Sequence, residues 1–248
     1  MAQGVLEQQQ VVVGSPWRAR LLMIGREALL LGTMYAIYTI GRFVAAGHTG
    51  PAFSNAEFAV DLESRLGLPS EVHLQQHALA IPDLAQWANG YYAFVHFPFT
   101  FAVMLWLSIR RPAAYPRVRW TMIALTGLAL IGHLLFPLAP PRMITQYGWV
   151  DTGVRYGQSV YGAKPEGGLA NQFAAMPSLH VGWAVLMAIV LIMVTRSRLR
   201  WLWLLHPVVT VFVVVVTANH YWLDGIVSLI LLGCCLPIIT SYRSAFLR

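Results

Sequence analysis

Apolar residues along this chain gather into long runs parted by short polar stretches. Six runs approach the ~20 residues that a helix needs to cross a bilayer: Leu21–Ala46, Tyr91–Ile109, Trp120–Leu138, Ser178–Thr195, Leu199–Val216 and Tyr221–Ser241. The first is broken by Arg26, Glu27 and Arg42, whose charges lie near its ends and can extend to the interface. Between the first and second runs, Ser54 followed by Glu57 reads as a capping box, with Phe58, Leu62 and Leu66 on one helical face before Gly67 stops the helix. A second short helix is predicted to start at Ser70. Both suit the membrane surface, covering whatever opens outward. Residues 139–177 mix Gly, Pro and scattered polar groups, as a loop over a site would. Residues 1–17 are polar and lack the apolar core of a cleavable signal peptide. The pattern predicts an all-α polytopic membrane protein of six transmembrane helices with short interfacial helices on its outer face. A disordered cytoplasmic tail (1–17) precedes a single membrane-embedded domain (18–248).

Composition agrees with this reading. Of 248 residues, 57% are hydrophobic and only 11% charged, less than half the share that wets an ordinary soluble surface. The net charge of +7 invites a nucleic-acid partner, but the basic residues form no single stripe, and none is expected. Twelve of the 17 basic residues (Arg18, Arg20, Arg26, Arg110, Arg111, Arg117, Arg119, Arg196, Arg198, Arg200, Arg243 and Arg248) fall on alternate connections and the two ends. Basic connections favour the cytoplasm, so both termini are expected inside and the long connections outside the plasma membrane. The adjacent Cys234 and Cys235 suit neither a disulfide framework nor a zinc site.

Ionisable groups inside membrane segments are expensive and so point to function. Three polar groups stand at the outer ends of runs: Ala139-Pro140-Pro141-Arg142, Met176-Pro177-Ser178-Leu179-His180, and Thr217 to Asp224. The topology brings all three to one membrane face. His220 and Asp224 are four apart, within reach on one helical face. The carboxylate can hold one ring nitrogen as N–H and leave the other as nucleophile or base. Two histidines, a carboxylate and an arginine suit phosphoryl transfer: the guanidinium binds phosphate oxygens, one imidazole attacks, the other protonates the leaving oxygen.

These residues carry a resemblance. Pro177-Ser178-Leu179-His180 and His220-x3-Asp224 are similar to the P-S-G-H and S-R-x5-H-x3-D signatures of the type-2 phosphatidic acid phosphatase superfamily, and Arg142 to the arginine of K-x6-R-P. The likeness covers roughly residues 54–240 and is nearest to the inositolphosphotransferase-like branch that contains inositol phosphorylceramide synthases. Leu stands for Gly at 179, and the signature's Lys and Arg are Leu135 and Val214. The resemblance implies a lipid phosphate or phospholipid substrate and a phosphohistidine on His220, oriented by Asp224. His180 is implied as acid and base, and Arg142, Ser178 and Asn219 as the groups holding the phosphate. It implies neither metal nor other cofactor. Arg155 and Lys164 are further candidates to supply missing positive charge, and Tyr91, Tyr92 and His96 are candidate substrate contacts. The acceptor stays open between water, giving a phosphatase of polyprenyl phosphate or phosphatidate-type lipids, and an inositol-like or sugar alcohol, giving a phosphotransferase.

Bland readings compete for the remaining histidines. His96, His133 and His206 read as packing or hydrogen-bonding residues, with His206 far from the site, and His73 with His77 lacks a third metal ligand. A haem-binding electron carrier using His133 and His206, an intramembrane serine protease using Ser178, and a transporter are the rival classes. Visible absorption, the effect of Ser178→Ala, and flux without product release would identify them in turn.

Overall fold

A computed structural model describes residues 49–157 and 173–240, with scattered positions from 25 to 40. The chain divides into two compact units, Met1–Thr39 and Ile40–Arg248. In the first, Gly25, Glu27, Leu29, Leu30, Gly32, Thr33 and Ala36 are helical. Most of the first predicted run and all of the predicted tail lie outside the described residues.

The second unit is helical, and among the described residues the only β feature is an isolated parallel bridge, Leu138 to Ala174. Helices α1 (Thr49–Arg65) and α2 (Glu71–Leu79) are followed by α3 (Leu84–Phe94), α4 (His96–Arg110), α5 (Tyr115–Leu135) and the short α6 (Thr152–Tyr156). The chain closes with α7 (Leu179–Val194), α8 (Leu205–Val216), α9 (Trp222–Cys235) and α10 (Pro237–Thr240). Among the described residues, four stretches are long and apolar enough to cross a bilayer: Leu84–Arg110, Tyr115–Leu135, Arg198–Val216 and Trp222–Ile239. Six were expected; α7 is apolar but has 16 residues, and most of the first run lies outside the described residues. Large apolar side chains face outward, Phe101 at 68% and Leu135 at 80% exposure among them. Surface of that kind calls for lipid rather than water. Among the described residues the fold is all-helical, and its apolar helices suggest a membrane protein.

Local chemistry sets the breaks. Pro98 has no N–H for the Phe94 carbonyl, and the ladder parts at Val95, so the second predicted run is α3 and α4 joined at a kink. Pro116 opens α5 five residues before the predicted start, and Phe136, restricted by Pro137, ends it. Ser70 caps α2 by accepting from the His73 N–H. Helix α1 departs from its prediction. It already runs from Thr49, and Ser54 Oγ donates to the Pro51 carbonyl instead of capping. Its buried face is Ala52, Ala56, Ala59 and Glu63, while Phe58 and Leu66 are exposed. Small alanines allow close backbone approach; large apolar groups are left for an apolar exterior.

Helix α7 lies at the centre and packs on α4, α5, α8 and α9. A Cβ at Gly182 would collide with Ser228 Oγ on α9 and lie 3.0 Å from Leu125 Cδ2 on α5. A Cβ at Gly132 on α5 would lie 2.7 Å from Pro177 Cδ. Glycine at these two points lets three helices close on the segment that enters α7.

Candidate active site

The start of α7, the start of α9 and the turn after α5 are sewn together by backbone hydrogen bonds. Leu138 N–H donates to the Phe173 carbonyl (2.8 Å), Arg142 N–H to Ala218 (2.9 Å) and Ser178 N–H to Asp224 (3.0 Å). Tyr221 Oη donates to the Ala139 carbonyl at 3.0 Å, and His133 Nε2 to the Pro177 carbonyl at 3.1 Å. The segment from Thr217 to Asp224 is thus bonded to both of the other polar segments.

His220 precedes α9. Its Nδ1 faces two acceptors, the Ala175 carbonyl at 2.9 Å and Asp224 Oδ2 at 3.1 Å. Both accept only, so Nδ1 carries the hydrogen and the Nε2 lone pair is left for chemistry. Burial pushes the His220 imidazole down to about 3, the Arg142 charge acting the same way and the Ala175 carbonyl opposing. It is therefore neutral at pH 7. Asp224, fully buried, also accepts from the Tyr221 N–H at 2.9 Å, so one oxygen both starts α9 and orients the histidine.

His180 sits one residue into α7, half-buried, with its ring 5.6 Å from that of His220. It stacks on Tyr92 at 4.4 Å and neighbours His96 at 5.0 Å and Phe97 at 5.1 Å. The kink before Pro98 is what turns His96 inward. Arg142 is buried, with Nη1 donating to Asn219 Oδ1 at 2.6 Å and Nε 3.7 Å from Asp151 Oδ2. Asn219 Nδ2 donates in turn to Thr217 Oγ1 at 2.8 Å. Ala218 between them adopts φ +53°, a strained conformation for a residue with a Cβ.

Other sequence candidates are placed differently. Ser178 caps α7: its Oγ accepts from the Val181 N–H, leaving the hydroxyl proton to donate. Tyr91 turns away from His180, its hydroxyl meeting His206 Nδ1 at 2.7 Å and Thr210 Oγ1 at 3.1 Å. Arg155 is exposed, its guanidinium over the Tyr156 ring, and Lys164 lies outside the described residues. Leu135, at the position of the signature lysine, points to the exterior, and Val214, at that of the arginine, is packed in the core. The expectation that His206 is remote from the site is corrected. It stacks 5.7 Å from His96, so His220, His180, His96 and His206 form one file of imidazoles. His77 Nδ1 donates to the His73 carbonyl of its own helix. Among the described residues, no group of three or more His, Cys, Asp or Glu side chains is placed to hold a metal ion.

Several contributors carried no local signal. Gln75 bridges the Val150 and Val216 carbonyls and accepts from the Val150 N–H, and Asn89 ties Thr152 and Gly157. These contacts fasten the segment bearing Asp151 over Arg142. Glu63 and Glu71 are buried against the start of α9.

Among protein families, residues 58–238 match the PAP2 superfamily, which is well over half of the chain. The chain belongs to the PAP2 superfamily. Comparison with curated proteins and with solved structures returns no match. PAP2 superfamily members are phosphatases that act on lipid phosphates, so the family supports an enzyme with a lipid substrate.

Proposed function

We propose that this PAP2 protein cleaves a lipid phosphate ester through a phosphohistidine on His220. The observation that carries the reading is the His220–His180 pair: rings 5.6 Å apart, with Nδ1 of His220 fixed by Asp224 and Ala175. Nε2 of His220 attacks phosphorus as the bond to the leaving oxygen breaks, and protonated His180 gives that oxygen its proton. Phosphorylation leaves a positive charge on the His220 ring, which Asp224 offsets. Neutral His180 then takes a proton from the acceptor hydroxyl as its oxygen attacks phosphorus. The P–N bond breaks, and its electron pair returns to Nε2. Arg142, Asn219, the Ser178 hydroxyl and the first-turn amides of α7 hold the equatorial oxygens. With an arginine and helix dipole supplying positive charge, the step needs no metal. The site faces the outer side of the plasma membrane and both termini are cytoplasmic, on the distribution of arginines.

Water as acceptor gives a phosphatase. The Pro-Pro-Arg, Ser-Leu-His and Asn-His-Tyr wording resembles the inositolphosphotransferase-like branch and supports an alcohol acceptor as the second reading. The test is incubation of purified protein with phosphorus-labelled phosphatidate, polyprenyl phosphate or phospholipids, with and without inositol, in a chelator. Product formation that persists in chelator and is abolished in His220→Ala is expected, whereas Ser178→Ala retains part of it. A labelled lipid product seen only with alcohol establishes transfer; turnover by His220→Ala refutes the nucleophile.

A further inference from the structure

The first turn of a helix exposes amides that need acceptors, and at α9 three consecutive ones are taken by three carboxyl groups from three elements. Tyr221 N–H donates to Asp224 Oδ2 at 2.9 Å, Trp222 N–H to Glu71 Oε1 at 3.2 Å and Leu223 N–H to Glu63 Oε1 at 2.7 Å. Trp222 Nε1 adds a bond to the Pro69 carbonyl, between α1 and α2, at 2.7 Å. Glu63 and Glu71 come from α1 and α2, are 4% and 5% exposed, and are hydrogen-bonded to each other. Two carboxylates cannot share a hydrogen bond unless one holds a proton.

We infer that Glu63 and Glu71 are positioning residues: a proton-sharing carboxyl clamp that fastens the outer helices to the start of α9 and fixes His220 and Asp224 in register. This rests on the reading of His220 as nucleophile. The groups facing Glu63 are Glu71 from α2, Asp224 from α9 and Tyr221 just before it, with Tyr147 beyond Tyr221. Burial, then the hydrogen bond and charge of Glu71, push Glu63 up to about 9, against the pull of the Leu223 N–H. Burial and the same carboxylates raise the Tyr221 hydroxyl, which stays protonated across this range. The shared proton is therefore the one lost on the alkaline side. A second charge then meets Glu71 and Asp224 at the head of α9.

Folded Glu63 holds a proton that the unfolded chain has released, so stability declines as pH rises from the ordinary carboxylate range and levels off once folded Glu63 ionises. Glutamine at 63 keeps an acceptor for Leu223 and a neutral donor for Glu71. The experiment is thermal unfolding of the full chain in detergent between pH 7.5 and 9, with lipid phosphatase activity measured in parallel to more alkaline pH. Wild type is expected to lose roughly tenfold in folding equilibrium per pH unit through this group, a slope that Glu63→Gln removes. Glu63→Ala is expected to lower kcat about tenfold or more with KM moved less than about threefold, and Glu63→Gln to restore most of it and shift the alkaline limb upward. An unchanged slope and alkaline limb in Glu63→Gln overturn the clamp. If wild type shows no phosphatase activity, the functional reading fails, while the unfolding slopes still decide the clamp.

Discussion

Replacing Asp224 by Asn tests the centre of the chemistry. Oδ2 of Asp224 accepts from both the Tyr221 N–H and His220 Nδ1, at 2.9 and 3.1 Å. The amide oxygen of Asn can occupy that position and keep both bonds, so the start of α9 and the ring orientation survive. The amide nitrogen then falls where Oδ1, buried and without a hydrogen-bond partner, now sits. An unsatisfied buried amide costs about 1–3 kcal/mol of stability. The larger effect is on the phosphorylated ring. A unit charge 3.1 Å from a carboxylate gains about 5 kcal/mol at an effective dielectric of 20, which corresponds to a loss of ~10³–10⁴ in kcat. KM should move little, because the charge appears only as the P–N bond forms. The assay is phosphate release from lipid phosphate in mixed micelles, with thermal unfolding as the control for folding. Turnover within tenfold of wild type would refute the role of the carboxylate.

Two further results are expected. His220 is depressed to about 3 in the folded state, so the unfolded chain binds the extra proton as pH falls below its ordinary value near 6.5. Stability from this group is lost on acidification, about 2 kcal/mol by pH 5. Glu63 leans the opposite way over that range, so the measurement is the difference between wild type and His220→Gln, which should grow as pH drops; parallel curves would contradict it. Gly182→Ala forces a methyl onto Ser228 and Leu125 and should cost roughly 1–3 kcal/mol. Ser228→Ala in the same chain should recover part of that in thermal unfolding, and strict additivity would argue against the contact.

Helix order and the position of the polar segments at the ends of apolar runs were legible because long apolar runs and rare charges are local signals. Arg142, His180, His220 and Asp224 stood out for the same reason, each being costly where it stands, and the fold brings them near one another. On α1 the apolar periodicity picks out Phe58, Leu62 and Leu66, whereas the face that packs is built largely of small residues that give no such signal. Ala52, Ala56 and Ala59 face the protein here, and Phe58 and Leu66 do not. His96 and His206 depend on the kink that Pro98 makes and on a crossing of distant helices, neither of which spacing reveals. Glu63 and Leu223 are 160 positions apart, so their contact leaves no trace in any short window.

The bare α-carbon at Gly182 also sets a distance. Helices α7 and α9 meet there with no slack, and between them they carry His180 and the anchor of His220. The 5.6 Å between the two imidazole rings is therefore held by close helix packing, with a glycine as the point of contact. The stretch around Asp151, by contrast, is fastened by polar side-chain contacts from Gln75, Asn89 and Arg142.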